Sequence, residues 1–135
     1  MIGDNTQNPV DGMPEAYGAV RDSLAKVIDT YSAKMEGEYT SAGKRTKRMH
    51  AIATALKERL QPRSNTTAAF SLAEVAEDVH AQGLREMTHT KIRADLSIII
   101  NGIKITGHAG RPDYKFSLRY QGSRQQEGLL NIRRI

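Results

Sequence analysis

After Gly102 the hydrophobic period of this chain changes from about 3.6 residues to 2, the helical and the strand repeat respectively. Upstream, apolar residues recur every three or four positions along four segments. Downstream, Ile103-Lys104-Ile105-Thr106 and Tyr114-Lys115-Phe116-Ser117-Leu118-Arg119-Tyr120 alternate. A chain of 135 residues that switches once, and late, is expected to be mainly α with a small β-hairpin, an α+β fold of one domain and an arm. The turn-rich Gly107-His108-Ala109-Gly110-Arg111-Pro112-Asp113 predicts the hairpin bend between the two alternating runs. Tyr114, Phe116, Leu118 and Tyr120 then face inward, and Lys115, Ser117 and Arg119 face solvent.

Four helices are expected before the switch. Residues 1–13 are polar, hold Gly3, Pro9 and Gly12, and read as a disordered tail. Pro14 suits a first helical position, and Tyr17, Val20, Leu24, Val27 and Tyr31 follow at spacings of 3, 4, 3 and 4. This seam runs along a helix over 14–36. Two heptads are short of a coiled coil, so both docking on the chain's own core and self-association are open. Its place outside the unit that follows favours association into a homodimer or higher oligomer.

A second helix is expected over about 44–60, with Met49, Ile52, Leu56 and Leu60 on one face. Its first turn holds Lys44, Arg45, Lys47 and Arg48, and exposed cations at a helix N-terminus each oppose the dipole by about 0.3–1 kcal/mol. Contact with phosphate would account for them; a helix starting only near Met49 would instead leave them on a solvated linker. Thr66–Phe70 reads as a short extended piece. Ser71 with Glu74 matches a capping box, opening a short helix whose stripe is Leu72, Val75, Ala76 and Val79 and which Gly83 closes. Thr88 or Thr90 caps the last helix, with Ile92, Leu96 and Ile99 inside and Gly102 at its end. The segment 121–135 is polar, carries Arg124, Arg133 and Arg134, and reads as a basic tail without regular structure.

Charge divides the chain in the same places. Residues 1–43 hold 3 basic and 7 acidic side chains, residues 44–83 hold 7 and 4, and residues 84–135 hold 10 and 4, within a net charge of +5. An acidic first third joined to a basic remainder suggests two jobs, with the basic part turned towards a polyanion.

The order helix, short strand, helix, helix, hairpin over residues 44–120 resembles the winged helix-turn-helix superfamily. Ile92-x3-Leu96-x2-Ile99-x2-Gly102-Ile103 is similar to the end of that family's recognition helix, and Phe70-Ser71-Leu72-x2-Val75-Ala76 to the entry of its first motif helix. The stretch His80–Met87 is longer than the family's usual tight turn. The resemblance implies a double-stranded DNA-binding transcriptional regulator. His89, Thr90, Lys91, Arg93, Ala94 and Ser97 would then face outward on the recognition helix in the major groove. Arg111, on its Gly-Arg-Pro bend, would enter the minor groove, with Lys104 and Lys115 on the flanking strands. A dimer would read a palindromic site. Two other roles remain open: a nucleoid-associated architectural protein preferring A·T-rich DNA, and a winged-helix protein-interaction module in a replication or packaging assembly.

Other classes find little support. Without cysteine there is neither a thiolate zinc site nor a cysteine nucleophile. His50, His80, His89 and His108 are scattered, with no metal-ligand spacing, no Gly-rich phosphate loop and no nucleophile elbow. No metal, cofactor or enzymatic activity is therefore expected. The longest apolar stretch, Ile98-Ile99-Ile100, is far short of the ~18 residues of a membrane span, and Met1–Gly12 does not read as a secretory signal, so the expected location is cytoplasmic, at the nucleoid.

Overall fold

A computed structural model describes residues 13–37, 42–64, 66–103 and 114–134. The elements in order are α1 (Met13–Gly37), α2 (Ala42–Arg59), β1 (Gln61–Pro62), β2 (Thr67–Ser71), α3 (Leu72–Ala81), α4 (His89–Gly102), β3 (Tyr114–Gln121) and β4 (Glu127–Arg134). The four strands form one antiparallel sheet in the order β1-β2-β4-β3. No helix among the described residues is long and apolar enough to cross a membrane.

Local sequence sets the helix ends. Ser71 Oγ accepts from the Glu74 backbone N–H at 3.3 Å, and Thr88 Oγ1 from that of Lys91 at 3.2 Å, each satisfying a donor the helix leaves open. At the other end of α3, Gly83 takes φ +97°. Its N–H reaches His80 O, and the Leu84 N–H reaches Val79 O, the paired bonds of a Schellman stop. His80 Nε2 lies 2.8 Å from Met87 O and spans the long α3–α4 connection from one end to the other. The extra length is therefore held by a side chain, with Met87 buried beneath it.

Three expectations change. First, α1 is part of the main core. Val20 and Leu24 are fully buried, with Tyr17, Val27 and Tyr31 packed around them, and the Tyr17 hydroxyl donates to Leu60 O at 2.6 Å. The start of α1 thus lies beside the end of α2, an antiparallel pair. The seam predicted for self-association is filled by the chain itself, because α2 offers Met49, Ile52 and Leu56 as a matching stripe.

Second, the segment read as a basic tail is β4, which lies between β2 and β3. Leu129 and Leu130 are adjacent and both buried, as is Ile132. At Leu129-Leu130 the strand is covered on both faces, and there it loses the period-2 signature that betrays a half-exposed one.

Third, the partner of β3 is β4, with Tyr114 opposite Arg134 and Gln121 opposite Glu127. The bend between β3 and β4 is Gly122–Gln126, and the bend predicted over 107–113 lies outside the described residues. Ile103 closes α4 as its cap, and the predicted strand over Lys104–Thr106 lies outside them as well. The alternation along β3 holds: Tyr114, Phe116, Leu118 and Tyr120 pack on the core and Lys115, Ser117 and Arg119 are exposed.

Where β2 and β4 meet, Phe70 lies flat over Gly128, its register partner. A Cβ on Gly128 would overlap Phe70 Cζ. The Phe70 ring meets Tyr120 edge-on, with centroids 6.2 Å apart and planes at 89°.

Candidate nucleic-acid interface

The exposed residues of α4 are Thr90, Lys91, Ala94, Ser97, Ile98, Asn101 and Gly102. Spacings of one, three and four residues place most of them on a single stripe, opposite the buried Ile92, Leu96, Ile99 and Ile100. Ile98, 48% exposed, is the large hydrophobic side chain most open to solvent among the described residues. Thr90, Lys91, Ala94 and Ser97 thus stand where the sequence predicts them.

Arg93 and His89 do not face out as predicted. The Arg93 guanidinium stacks over the Tyr120 ring, 4.6 Å from its centroid, and its Nη2 donates to Gln125 O at 2.7 Å. His89 Nδ1 lies 3.4 Å from Gln126 Nε2. Both side chains are half-buried against the β3–β4 bend, so the first half of α4 is stapled to the hairpin. Packing at this junction excludes water. Tyr120 Oη, Arg93 Nε and Gln126 Oε1 are buried without a partner, and burial pushes the Tyr120 phenol up to about 12.

The bend itself was missed by the sequence reading. Its single 3-10 turn, Ser123–Gln125, has Arg124 at φ 56° and Gln125 at φ 52°, a left-handed pair that turns Arg124 into solvent. The signal was Gly122 followed by four polar residues ahead of the apolar Leu129-Leu130. Read against a presumed tail, it had no strand to belong to.

Beyond the opposite edge of α4 stands the start of α2. This helix begins at Ala42, so the basic quartet lies on the helix rather than on a linker, and no acidic residue occupies its first turn. Lys44, Arg45 and Lys47 are exposed. Arg48 is different: its Nε donates to Asp95 Oδ2 at 2.5 Å, and the Asp95 side chain is 7% exposed. That pair joins α2 to the middle of α4. Arg48 is thus withdrawn from the expected anion-binding set, and its charge neutralises a buried carboxylate instead.

Lys115 does not converge with this surface. It stands on the outer face of the sheet, directly opposite Arg133 in register. Lys104 and Arg111 lie outside the described residues. A groove of about 620 Å³ near β2 and the start of α3 is lined by Arg59, Arg63, Glu74 and Glu127, whose charges are already paired, Arg59 with Glu74 and with Asp78 behind it, and Arg63 with Glu127. No group of three His, Cys, Asp or Glu side chains suited to a metal ion occurs among the described residues.

The site therefore consists of a mildly polar helix face with Arg124 on the hairpin side, the start of α2 with its exposed Lys44, Arg45 and Lys47 joined to the other side through Arg48 and Asp95, and Val27, Tyr31 and Lys34 of α1 beside its C-terminal half. No protein-family model, no curated protein and no solved structure matches the chain.

Proposed function

We propose that this protein binds double-stranded DNA as a winged-helix module and acts as a DNA-binding regulator. In this reading α4 enters the major groove and the β3–β4 bend serves as the wing. The observation that carries it is the staple at Arg93, which holds an exposed helix face and a cationic hairpin bend side by side. Support also comes from the sequence of elements: α2, β2, α3, α4 and a hairpin whose second strand lies between β2 and β3. A helix of this width fits the ~12 Å major groove, and cations beside it suit the backbone phosphates.

The wing arginine of this reading is Arg124. Lys91, Lys44, Arg45 and Lys47 contribute phosphate contacts, and Thr90, Ala94 and Ser97 approach the bases. A palindromic target is no longer required, since it rested on the α1 seam, whose Val20 and Leu24 are buried within the chain.

Binding of the purified chain to a mixed-sequence duplex, followed by fluorescence anisotropy, tests the proposal. With five phosphate contacts, Arg124 included, affinity should fall about five-hundredfold between 50 and 200 mM salt. Arg124→Ala and Lys91→Ala should each weaken binding and reduce the salt slope by about one. Absence of binding at 50 mM salt overturns the reading.

A further inference from the structure

Ile98 is half open to solvent in the C-terminal half of α4, on the rim of a groove of about 480 Å³ that it shares with Val27, Tyr31 and Lys34 of α1, so the fold leaves part of a large apolar side chain uncovered beside the polar face. Ile98 does not stand alone. Thr90, Ala94 and Ile98 lie at i, i+4 and i+8, so three methyl-bearing side chains form one row along the exposed stripe of α4. At 1.5 Å per residue the row repeats every ~6 Å. Successive base pairs rise by ~3.4 Å, so every second pair comes at ~6.8 Å.

The hydrogen-bonding chemistry of the face agrees with the row. Guanine is read best by a forked guanidinium, and Arg93, the one arginine of α4, has its guanidinium committed to Gln125 O and the Tyr120 ring. What remains on the stripe is one ammonium, Lys91, with Ser97 and Asn101. A carboxamide suits the N6 and N7 positions of adenine, and side-chain methyls suit the C5-methyl of thymine. The cations at Arg124 and at Lys44, Arg45 and Lys47 complement the phosphates that flank such a groove.

We propose that α4 reads A·T base pairs from the major groove through thymine methyl groups, with Thr90, Ala94 and Ile98 in contact with the methyls of alternate positions. This rests on the DNA-binding reading above and specifies what that surface selects. The preference acts through C5-methyls, so it does not depend on a narrow minor groove.

Replacing thymine by uracil deletes those methyls and leaves base pairing and phosphate charge in place. Two duplexes of alternating A·T sequence, identical except that one carries uracil, are titrated with the full chain by anisotropy, beside a G·C duplex of equal length. The expected result is weaker binding to the uracil duplex, by about fourfold if one methyl is contacted and about sixtyfold if three are. Ile98→Ala, confirmed as folded by circular dichroism, should narrow that gap by about fourfold. Equal affinity of the wild-type chain for both A·T duplexes overturns the methyl reading while DNA binding stands. A gap that persists unchanged in Ile98→Ala also overturns it, because the preference then arises elsewhere. If none of the duplexes binds at low salt, the DNA-binding reading fails as well.

Discussion

At the scale of single residues, the same side-chain type performs opposite tasks a few positions apart. Lys47 is exposed on α2, whereas the next residue, Arg48, is tied to the buried Asp95. Removing Arg48 leaves a carboxylate inside the protein without its counterion. Arg48→Ala should therefore cost about 3 kcal/mol, the lower end of the range for broken buried pairs because the arginine is itself partly solvated. Lys47→Ala should stay within about 0.5 kcal/mol. Urea midpoints measure both, and an Arg48→Ala chain of unchanged stability but reduced DNA affinity would return this residue to the phosphate-contacting set. A second position is decided by space alone. Gly128→Ala would drive a methyl into the Phe70 ring. The ring would have to leave its place between β4 and Tyr120, at a cost of about 2–3 kcal/mol read from the same measurement.

Among the elements, legibility followed the range of the interaction that fixes each one. The caps at Ser71 and Thr88 were readable because donor and acceptor lie three residues apart in sequence. The stripes of α2, α3 and α4 were readable because each has one wet and one dry side. Strand β4 was not, since its Leu129-Leu130 pair is covered on both faces and shows no alternation. The turn-rich sequence 107–113 predicts a hairpin bend because it stands between two alternating runs. Pairing between β3 and β4, however, is fixed by contacts that no local period encodes. The site suffered from the same limit: outward residues of α4 were placed well, but Arg93 and His89 turn towards a bend that had not been recognised. The seam on α1 presents a related ambiguity, because a two-heptad stripe fits a neighbouring chain or the chain's own helix equally well. With Val20 and Leu24 in the core, deleting residues 1–37 should expose Met49, Ile52 and Leu56 and yield an aggregated or unfolded product. A soluble, cooperatively melting fragment, seen by circular dichroism and size-exclusion chromatography, would restore α1 to a separate role.

For the molecule as a whole, acid should be destabilising, through ion pairs that close the lower part of the sheet and the α2–α3 contact. The Arg59 guanidinium hydrogen-bonded to Asp78 holds that carboxyl below its usual range. Hydrogen bonds from Gln121 and then Arg63 do the same for Glu127. Both carboxyls release protons more readily folded than unfolded, so their contribution is complete above the ordinary carboxylate range and is lost as pH falls through the lowered values. Urea midpoints should be level above about pH 5 and decline below about pH 4, with a shallower decline in Asp78→Asn. A midpoint that rose on acidification would contradict this assignment.

The contact of Arg93 with Gln125 and Tyr120 has one more outcome at this scale. It makes the gap between the stretches of backbone that carry Lys91 and Arg124 a dimension of the protein, one that on the proposed reading a nucleic acid has to match. Two jaws fixed in this way act as a caliper, and a nucleic acid of A-form pitch, with its deep and narrow major groove, would present its phosphates out of step with them.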